Sequence, residues 1–424
     1  MIPHRALCNH ALWNARAVDF GPNDRLLQKS ALSFDASISE FFVPLLCGAA
    51  VHLAAPGLQR DLPALLQTVI DQRITHLTLA PSTARALVDD PLLPACSSLR
   101  CVQFGGEPLP AELAARFQAL LPQARLLNFY GPSETTEDSS LYVVDGPITQ
   151  TDGTLPVGRP IDNTRIHVLD AQLRPLPFDV VGEICIAGAG VARGYLGQPE
   201  LSAARFVPDP FQPQERMFRS GDLGYWGSDG QLHLSGRNDD QIKIRGFRIE
   251  LGEIERQLAS HPAVAQAVVI PWSSRADDPQ LAAYVVLRAG HEHTPISALQ
   301  RLLKASLPHY MIPAAWQVLP TLPLTASGKV DRRALPAPQF QAASASAERR
   351  MPRSATEQAL WQIWHEVLQL EAFGIDDHFF DLGGHSLTLT QVRSRIQTRL
   401  GVEVPLAELF THLTIADLAA HLDR

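Results

Sequence analysis

The alternation of short apolar segments with helical segments in the first third of the chain is the feature that most constrains its fold. Apolar runs of strand length occur in ITHLTLAPS, LRCVQFGG and ARLLNFYG, whereas LPALLQTVIDQ has the apolar spacing of a helix. Strands that alternate with helices predict a parallel α/β sheet, with functional side chains at the ends of its strands.

The pattern changes twice beyond this region. From about Val143 to Gly236, short strands such as TRIHVLD and GEICIAGAG are broken by glycine and proline, which predicts a β-barrel-like subdomain. From Gln241 onward, QIKIRGFRIELGEIERQLAS joins a strand to a helix, and AVAQAVVIPW and LAAYVVLRAG add two strands. This third region is predicted to be a small α+β unit.

The last part of the chain combines a linker with helices. The stretch LPAPQFQAASASAERRMPRS is poor in large apolar residues and is typical of a flexible linker. Amphipathic helices that begin at Ser386 and run through PLAELFTHLTIADLAAHL predict a small, independent helical bundle. Its first helix is predicted to start with a capping box of Ser354 and Glu357 and to bury one apolar face, formed by Leu360, Ile363, Trp364, Val367 and Leu368.

The composition excludes several classes of protein. The net charge of the 424 residues is −8 and there is no basic block, which argues against nucleic acid and anionic membranes as partners. No apolar run is long enough to span a bilayer, and MIPHRALCNHALWNARAVDF lacks the apolar core of a signal peptide. The five cysteines include no CxxC pair and no zinc spacing, so we expect reduced thiols in a cytoplasmic protein.

One polar turn could bind a nucleotide. NFYGPSETTE follows a predicted strand and brings together Tyr130, Ser133, Glu134 and Thr135. An aromatic ring can stack on a base, hydroxyl groups can donate to phosphate oxygens, and a carboxylate can hold Mg²⁺. Taken alone, the stretch also fits an ordinary polar turn.

Three further stretches each have a functional and a plain interpretation. Asp222 in RSGDLGYW could accept the two hydroxyls of a ribose, or it could simply form a turn. The charges of SGRNDDQIKIRG suit a hinge at a domain border or a solvated surface. Lys329, at the glycine-containing turn of LPLTASGKVDRRAL, could balance charge on a transferring phosphoryl group, although most surface lysines do not.

A serine at the start of a predicted helix raises a similar choice. In DLGGHSL, Ser386 follows two glycines and a histidine. Glycines leave the hydroxyl sterically open, which suits covalent modification, but a serine in this position is ordinarily a helix cap.

Taken together, these stretches resemble the adenylation domain of a nonribosomal peptide synthetase followed by its peptidyl carrier domain. The resemblance covers nearly the whole chain and includes the carrier signature DHFFDLGGHSL. Six adenylation motifs carry it, in this order: FDASISE, NFYGPSETTE, GEICIAGAGVARGYLGQPELSAARF, RSGDLGYW, GRNDDQIKIRGFRIELGEIE and LPLTASGKVDR. It implies a partial adenylation core at 1–238, its C-terminal subdomain at 239–336, a linker at 337–353 and a carrier domain, a four-helix bundle, at 354–424.

The resemblance also implies a function. Such a module activates an amino acid with ATP and Mg²⁺ as an aminoacyl-adenylate and loads it as a thioester onto a 4'-phosphopantetheine arm. Ser386 would carry that arm, attached by a separate phosphopantetheinyl transferase. Other synthetase domains, acting in trans, would be its protein partners.

Residue roles follow from the matched motifs. Asp35 would pair with the α-ammonium group, and Lys329 would contact the carboxylate and the phosphate. Asp239 would be the hinge, and Lys243 would act in the thiolation state. The nucleotide would be bound by Asn128, Tyr130, Ser133, Asp222 and Arg237, and Mg²⁺ by Glu134. The family's usual threonine is replaced by Ser133, which keeps the hydroxyl.

The family's specificity positions predict the class of amino acid. Ser39 and Gly105 are small and leave room for a long side chain, whereas Glu137 and Asp138 bring two carboxylates that need cationic or hydrogen-bonding partners. We therefore predict a long basic or polar amino acid. The alternative is that one carboxylate points to solvent or pairs with a pocket hydroxyl. The remaining positions are Ala36, Thr78, Gln103 and Phe129.

One departure from the family leaves the activity open. The Gly/Ser/Thr-rich phosphate loop of the family, which ends in Pro-Lys-Gly, would precede the segment that begins MIPHRAL. We therefore expect a fragment with little pyrophosphate exchange on its own. The alternatives are a non-catalytic carrier or interaction protein and an acyl-CoA-ligase-like domain. Asp35 argues against the latter, because an acyl chain offers a carboxylate no partner.

Overall fold

The computed structural model describes most of the chain as two compact units, Met1–Asp239 and Asp240–Arg424. The described residues are 1–239, 241–244, 247–272, 280–324, 330–337, 350–368, 370, 373–380, 382, 384 and 386–423, and for residues 60, 386, 387, 406 and 407 only the backbone is described. Lys329 and most of the predicted linker therefore lie outside the described residues.

The first unit begins with a sheet flanked by helices. In chain order, its elements are α1 (His4–Ala17), β1 (Arg25–Gln28), α2 (Ala36–Leu46), β2 (Ala50–Leu53), α3 (Leu62–Asp71), β3 (His76–Leu79), α4 (Pro81–Leu87), β4 (Cys101–Phe104), α5 (Ala111–Leu120), β5 (Arg125–Tyr130), β6 (Ser140–Val143) and β7 (Arg159–Pro160). The sheet order is β2-β1-β3-β4-β5-β6-β7. The first five strands are parallel and the last two antiparallel, which confirms the predicted parallel α/β sheet.

Parallel pairing places the carboxyl ends of β3, β4 and β5 at one edge of this sheet. Thr78 pairs with Gln103, and Phe104 pairs with Asn128. Phe104 also packs edge-on against Phe117 of α5, at 5.4 Å between ring centroids, and both rings are fully buried. A rigid apolar layer therefore supports the polar residues that follow each strand.

The second half of this unit is antiparallel. Its elements are β8 (Thr164–Leu169), β9 (Gly182–Gly188), α6 (Pro199–Arg205), β10 (Phe206–Asp209), β11 (Gln212–Trp226) and β12 (Leu232–Arg237). The strand order is β10-β11-β9-β8, with β12 paired to β11. The pairing of β11 with β9 is irregular between Arg219 and Leu223, so the short stretch that holds Asp222 departs from the ladder at that point.

The second unit holds a small α+β part and a helical part. The elements are β13 (Gln241–Ile244), β14 (Phe247–Glu250), α7 (Leu251–Ala259), β15 (Val264–Trp272), β16 (Gln280–Leu287), α8 (Ile296–Ser306), β17 (Ala315–Val318), α9 (Ala355–Leu368), α10 (Ser386–Leu400), α11 (Leu406–Thr411) and α12 (Ile415–Leu422). The predicted capping box is present: Glu357 N–H donates to Ser354 Oγ, and Ser354 N–H donates to Glu357 Oε2, each at 3.0 Å. Leu360, Ile363 and Trp364 lie in the helical core, as predicted.

Helix α1 was not predicted from the sequence. The reason is that the buried face of this helix carries His10 and Asn14 beside Ala6 and Trp13, so the apolar period is interrupted. Among the described residues, no helix is both long and apolar enough to cross a membrane.

Candidate active site

The turn after β5 forms the centre of the candidate site. A Cβ atom on Gly131 would lie 2.0 Å from the carbonyl oxygen of Glu137 and 2.7 Å from the nitrogen of Ser139, so only glycine fits there. Thr136 and Glu137 adopt left-handed backbone angles, with φ of 67° and 68°. The turn thereby folds back on itself, and its residues contact two separate groups of side chains.

The first group, termed the Asp222 cluster, consists of Tyr130, Arg205, Asp222, Arg237 and Asp239. The Tyr130 hydroxyl donates to Asp222 Oδ2 at 2.7 Å, and Arg237 Nη1 donates to the other carboxylate oxygen. Burial, reinforced by the carboxylate, raises the pKa of the Tyr130 hydroxyl well above its usual value, so it remains a donor. Both oxygens of Asp222 are therefore held in fixed positions.

The Asp222 cluster is completed by a forked contact. Arg237 Nε and Nη2 donate to the two oxygens of Asp239 at 2.8 Å each, and Arg205 Nη2 donates to Asp239 Oδ2 at 3.0 Å. A Cβ atom on Gly221 would lie 2.5 Å from Asp239 Oδ2, so a side chain there would displace this arrangement. Two carboxylates thus contact two guanidinium groups.

Two further residues of the predicted nucleotide site lie on the same turn and strand. Asn128 is buried and donates from Nδ2 to the Pro156 carbonyl at 2.8 Å, and its Oδ1 has no hydrogen-bond partner among the described residues. Glu134 is 8% exposed and accepts a hydrogen bond from the Tyr195 hydroxyl at 2.6 Å. A carboxylate held in this way beside the hydroxyl groups of the turn fits Mg²⁺, which usually takes one or two carboxylates plus substrate phosphates.

Asp35 lies at the start of α2 and contacts the same turn. Its Oδ1 accepts the N–H of Ala36 at 3.0 Å, and its Oδ2 accepts the hydroxyl of Ser133. Buried Glu40 holds α2 in place: its carboxylate accepts hydrogen bonds from the N–H and the hydroxyl of Ser30, each at 2.8 Å. The predicted ammonium site and the predicted phosphate contact are therefore direct neighbours.

The second group, termed the acidic pocket, consists of His10, Asp35, Ser39, Glu137 and Asp138. The Ser39 hydroxyl donates to Glu137 Oε2 at 2.6 Å, and His10 Nε2 lies 3.1 Å from Asp138 Oδ2. Burial raises the pKa of Glu137 well above its usual value, and the neighbouring Asp138 raises it further. Burial also raises the pKa of Asp138, although the hydrogen bond from His10 opposes the shift.

The remaining specificity positions lie on β3, β4 and β5, directly after β4, and at the start of α2. Gln103 and Phe129 are buried, Thr78 is partly buried on β3, and Ala36 is the first residue of α2. A Cβ atom on Gly105 would make an ordinary contact, 3.8 Å from Phe129 Cβ. Glu137 does pair with a pocket hydroxyl, as the alternative interpretation allowed.

Two of the predicted residues are found in the second unit. Lys243 lies on β13 opposite Arg248, and Ser386 is the first residue of α10. A Cβ atom on Gly384 would lie 2.4 Å from the Phe379 ring, so the chain turns tightly just before that helix. Lys329 lies outside the described residues, so its predicted contacts stay a prediction.

Three residues of the site were not predicted from the sequence. Tyr195 lies within the matched motif GEICIAGAGVARGYLGQPELSAARF, where its aromatic ring could have been noticed, and Arg205 is the penultimate residue of that motif. His10 precedes all the matched motifs, and no sequence signal singled it out.

Three family models match the chain. The AMP-binding enzyme model matches residues 1–196, the AMP-binding enzyme C-terminal domain matches 253–329, and the phosphopantetheine attachment site matches 358–422. The chain is 44% identical over 419 residues to tyrocidine synthase 3 of Brevibacillus parabrevis, a match that covers 99% of this chain and 6% of that protein. It is also 44% identical over 425 residues to a dimodular nonribosomal peptide synthase of Bacillus subtilis (strain 168), covering all of this chain and 17% of that protein.

Solved structures agree with these matches. A nonribosomal peptide synthetase protein with adenylation and carrier domains, bound to a vinylsulfonamide inhibitor, has a TM-score of 0.76 at 29% identity and covers 95% of this chain and 66% of that one. A four-domain synthetase bound to AMP and glycine has a TM-score of 0.53 at 34% identity and covers all of this chain and 31% of that one. The chain thus belongs to the nonribosomal peptide synthetases, with adenylation-domain sequence followed by a peptidyl carrier domain, and it spans a small part of its curated relatives.

Proposed function

We propose that this chain is the part of a synthetase module that activates an amino acid with ATP and passes it to its own carrier domain. The contact between Asp35 and Ser133 carries this proposal. In an α-amino acid, the ammonium and carboxylate groups are attached to the same carbon. A site that joins the carboxylate to a phosphate must therefore place an ammonium acceptor next to a phosphate-binding hydroxyl, which is the arrangement of these two side chains.

The Asp222 cluster supports ATP as the second substrate. The Asp222 carboxylate is positioned from both sides, by Tyr130 and by Arg237, and can accept ribose hydroxyl groups. The Oδ1 atom of Asn128 offers an acceptor to an amino group of the base. Glu134 would hold Mg²⁺, which would neutralise charge on the phosphates during transfer.

The carrier domain supports the transfer step. The family match implies a covalent 4'-phosphopantetheine group, whose thiol would accept the activated amino acid. Ser386 begins α10, and the positive end of a helix dipole suits the phosphodiester of that group. A phosphopantetheinyl transferase and further synthetase domains are the proposed protein partners.

The acidic pocket supports a long basic amino acid as the proposed substrate. Ser39 lies four residues beyond Asp35, which corresponds to a rise of about 6 Å along a helix. Glu137, which contacts Ser39, is therefore about one helical turn away from the ammonium site. A side chain of that length with a cationic end, such as ornithine, lysine or arginine, would pair with this carboxylate.

Amino-acid-dependent exchange of pyrophosphate with ATP tests the proposal. The assay is run on the complete module with all proteinogenic amino acids and ornithine. We expect exchange with a long basic amino acid and its loss in Lys329→Ala. Absence of exchange with every amino acid would favour a carrier that does not catalyse activation, and a preference for leucine, valine or phenylalanine would refute the basic substrate.

The attachment residue is tested independently of catalysis. The chain is incubated with coenzyme A and a phosphopantetheinyl transferase, and its intact mass is measured. We expect a single phosphopantetheine addition that disappears in Ser386→Ala. Modification of the alanine variant would refute the assignment, and Ser394→Ala, a serine in the same helix, is the matched control.

A further inference from the structure

The acidic pocket contains a histidine that lies outside the specificity positions. His10, on α1, is 1% exposed, and its Nε2 lies 3.1 Å from Asp138 Oδ2. We propose that His10 is a positioning residue for substrate selection: its imidazole holds Asp138, so that Glu137 is the carboxyl group left for a cationic substrate side chain. This inference rests on the proposed function and adds α1 to the elements that determine specificity.

The position of His10 is fixed by packing. Its ring lies 5.7 Å from that of Trp13, and Trp13 meets the edge of Phe129 at 6.1 Å, so α1 forms a wall beside a specificity position. The Nδ1 atom of His10 has no hydrogen-bond partner among the described residues. Its polar contact is therefore with Asp138, and this imidazole cannot turn away from the pocket without moving Trp13.

The acidic groups around His10 explain why its contact with Asp138 matters. His10, Glu137 and Asp138 each bring a nitrogen or oxygen atom within 4.8 Å of the others. Asp35 at the start of α2 also faces them, as does Glu40, whose own counter-charge is Lys29 at 3.9 Å. The imidazole contacts Asp138, whereas Glu137 contacts a hydroxyl group, so a cationic side chain can pair with Glu137. A neutral side chain would leave that partly buried carboxyl group without a counter-charge.

Removing only the imidazole should impair binding of the cation. The hydrogen bond from His10 lowers the pKa of Asp138, so without it this carboxyl group holds its proton more tightly and is no longer kept in place. The Michaelis constant for a basic amino acid should then rise at neutral pH and recover as the pH increases. Removing the carboxylate of Asp138 together with the imidazole of His10 again leaves Glu137 as the carboxyl group available to the cation, as in the wild type.

The experiment compares His10→Gln, Asp138→Asn and the double variant in the complete module. Exchange is measured with a basic amino acid and with glutamine, from pH 6 to pH 9, and the Michaelis constant for ATP serves as the internal reference. His4→Gln is the matched control, since His4 is an exposed histidine on the same helix. Thermal unfolding midpoints are recorded for every protein, so that a folding defect is recognised.

Each single variant should raise the Michaelis constant for the basic amino acid about tenfold at pH 7, with that for ATP unchanged. The double variant should recover to within about threefold of the wild type. Unchanged selectivity in His10→Gln, or losses that multiply in the double variant, would overturn the role of His10. If the wild-type module prefers an apolar amino acid, the proposed substrate itself is wrong, so the two failures can be told apart.

Discussion

Two groups of charged side chains lie beside the turn that follows β5, and they differ in how their charges are matched. In the Asp222 cluster, the two carboxylates contact two guanidinium groups, from Arg237 and Arg205. In the acidic pocket, Glu137 and Asp138 contact one hydroxyl and one imidazole. A group whose charges are balanced within the chain needs no charged ligand and can bind neutral hydroxyl groups. An unmatched group needs the substrate to complete it.

Gly131 links the two groups, so replacing it should disturb both and have the largest effect. In Gly131→Ala, the new Cβ atom would collide with the backbone of residues 137–139, which cannot move aside as a flexible side chain could. We expect a loss of about 3 kcal/mol or more in the free energy of unfolding of the first unit. Urea unfolding followed by tryptophan fluorescence measures it.

The control for this prediction is Gly21→Ala. Around Gly21, a Cβ atom would meet nothing closer than 3.8 Å, so the substitution should be nearly neutral. Equal midpoints for the two variants would mean that the turn tolerates a side chain, and the link between the two groups would be lost.

Asp222→Asn tests the matched group. The substitution removes the charge that Arg237 and Tyr130 hold, and hydrogen bonds to charged groups contribute about 1.5–3 kcal/mol. The value of kcat/KM for ATP should fall by about 100-fold, by the same factor for every amino acid tested. Asp229→Asn, an exposed aspartate between β11 and β12, should have no effect. A loss that depends on the amino acid would contradict the separation of the two groups.

Some residues of this site could be predicted from the sequence and others could not, depending on whether their contacts are local or come from distant parts of the chain. Tyr130, Ser133 and Glu134 lie within one matched motif, and the strand that precedes them is apolar, so both the element and the turn could be predicted. The pairing of Asp222 with Arg237 was not predicted, because it depends on the register of β11 with β12. His10 could not be predicted either. As a polar residue on the buried face of α1, it interrupts the apolar spacing that would reveal the helix, and it belongs to no matched motif.

The acidic pocket is tested by Glu137→Gln. The value of kcat/KM for a basic amino acid should fall by about 10-fold to 100-fold, because the unmatched carboxylate is lost, while the KM for ATP stays unchanged. Glu112→Gln, on the exposed face of α5, is the matched control. If the KM for ATP rose with that for the amino acid, the two groups would not act separately.

The smallest effect is a pH dependence of stability, which distinguishes the pocket from the matched group. The pKa of Glu137 is raised above its ordinary 4.5 in the folded chain, so the folded state keeps a proton that the unfolded state has lost. The stabilisation by this proton is fully present below pH 4.5 and is lost as the pH rises through the raised pKa. Glutamine has no such proton, so Glu137→Gln avoids this loss.

The measurement compares the urea unfolding of the wild type and Glu137→Gln between pH 4.5 and pH 8. The two should be nearly equally stable at the lowest pH, and the variant should become more stable by about 1 kcal/mol at the highest. The pKa of buried His76 is lowered to about 4, mainly by burial. This residue is present in both proteins, so its contribution cancels in the difference between their free energies of unfolding. A basic amino acid should remove the difference by stabilising the wild type, because its cation pairs with the ionised Glu137. A difference that stays constant across this range would mean that Glu137 ionises as an ordinary surface carboxyl, whose charge is balanced by water and needs no cationic substrate.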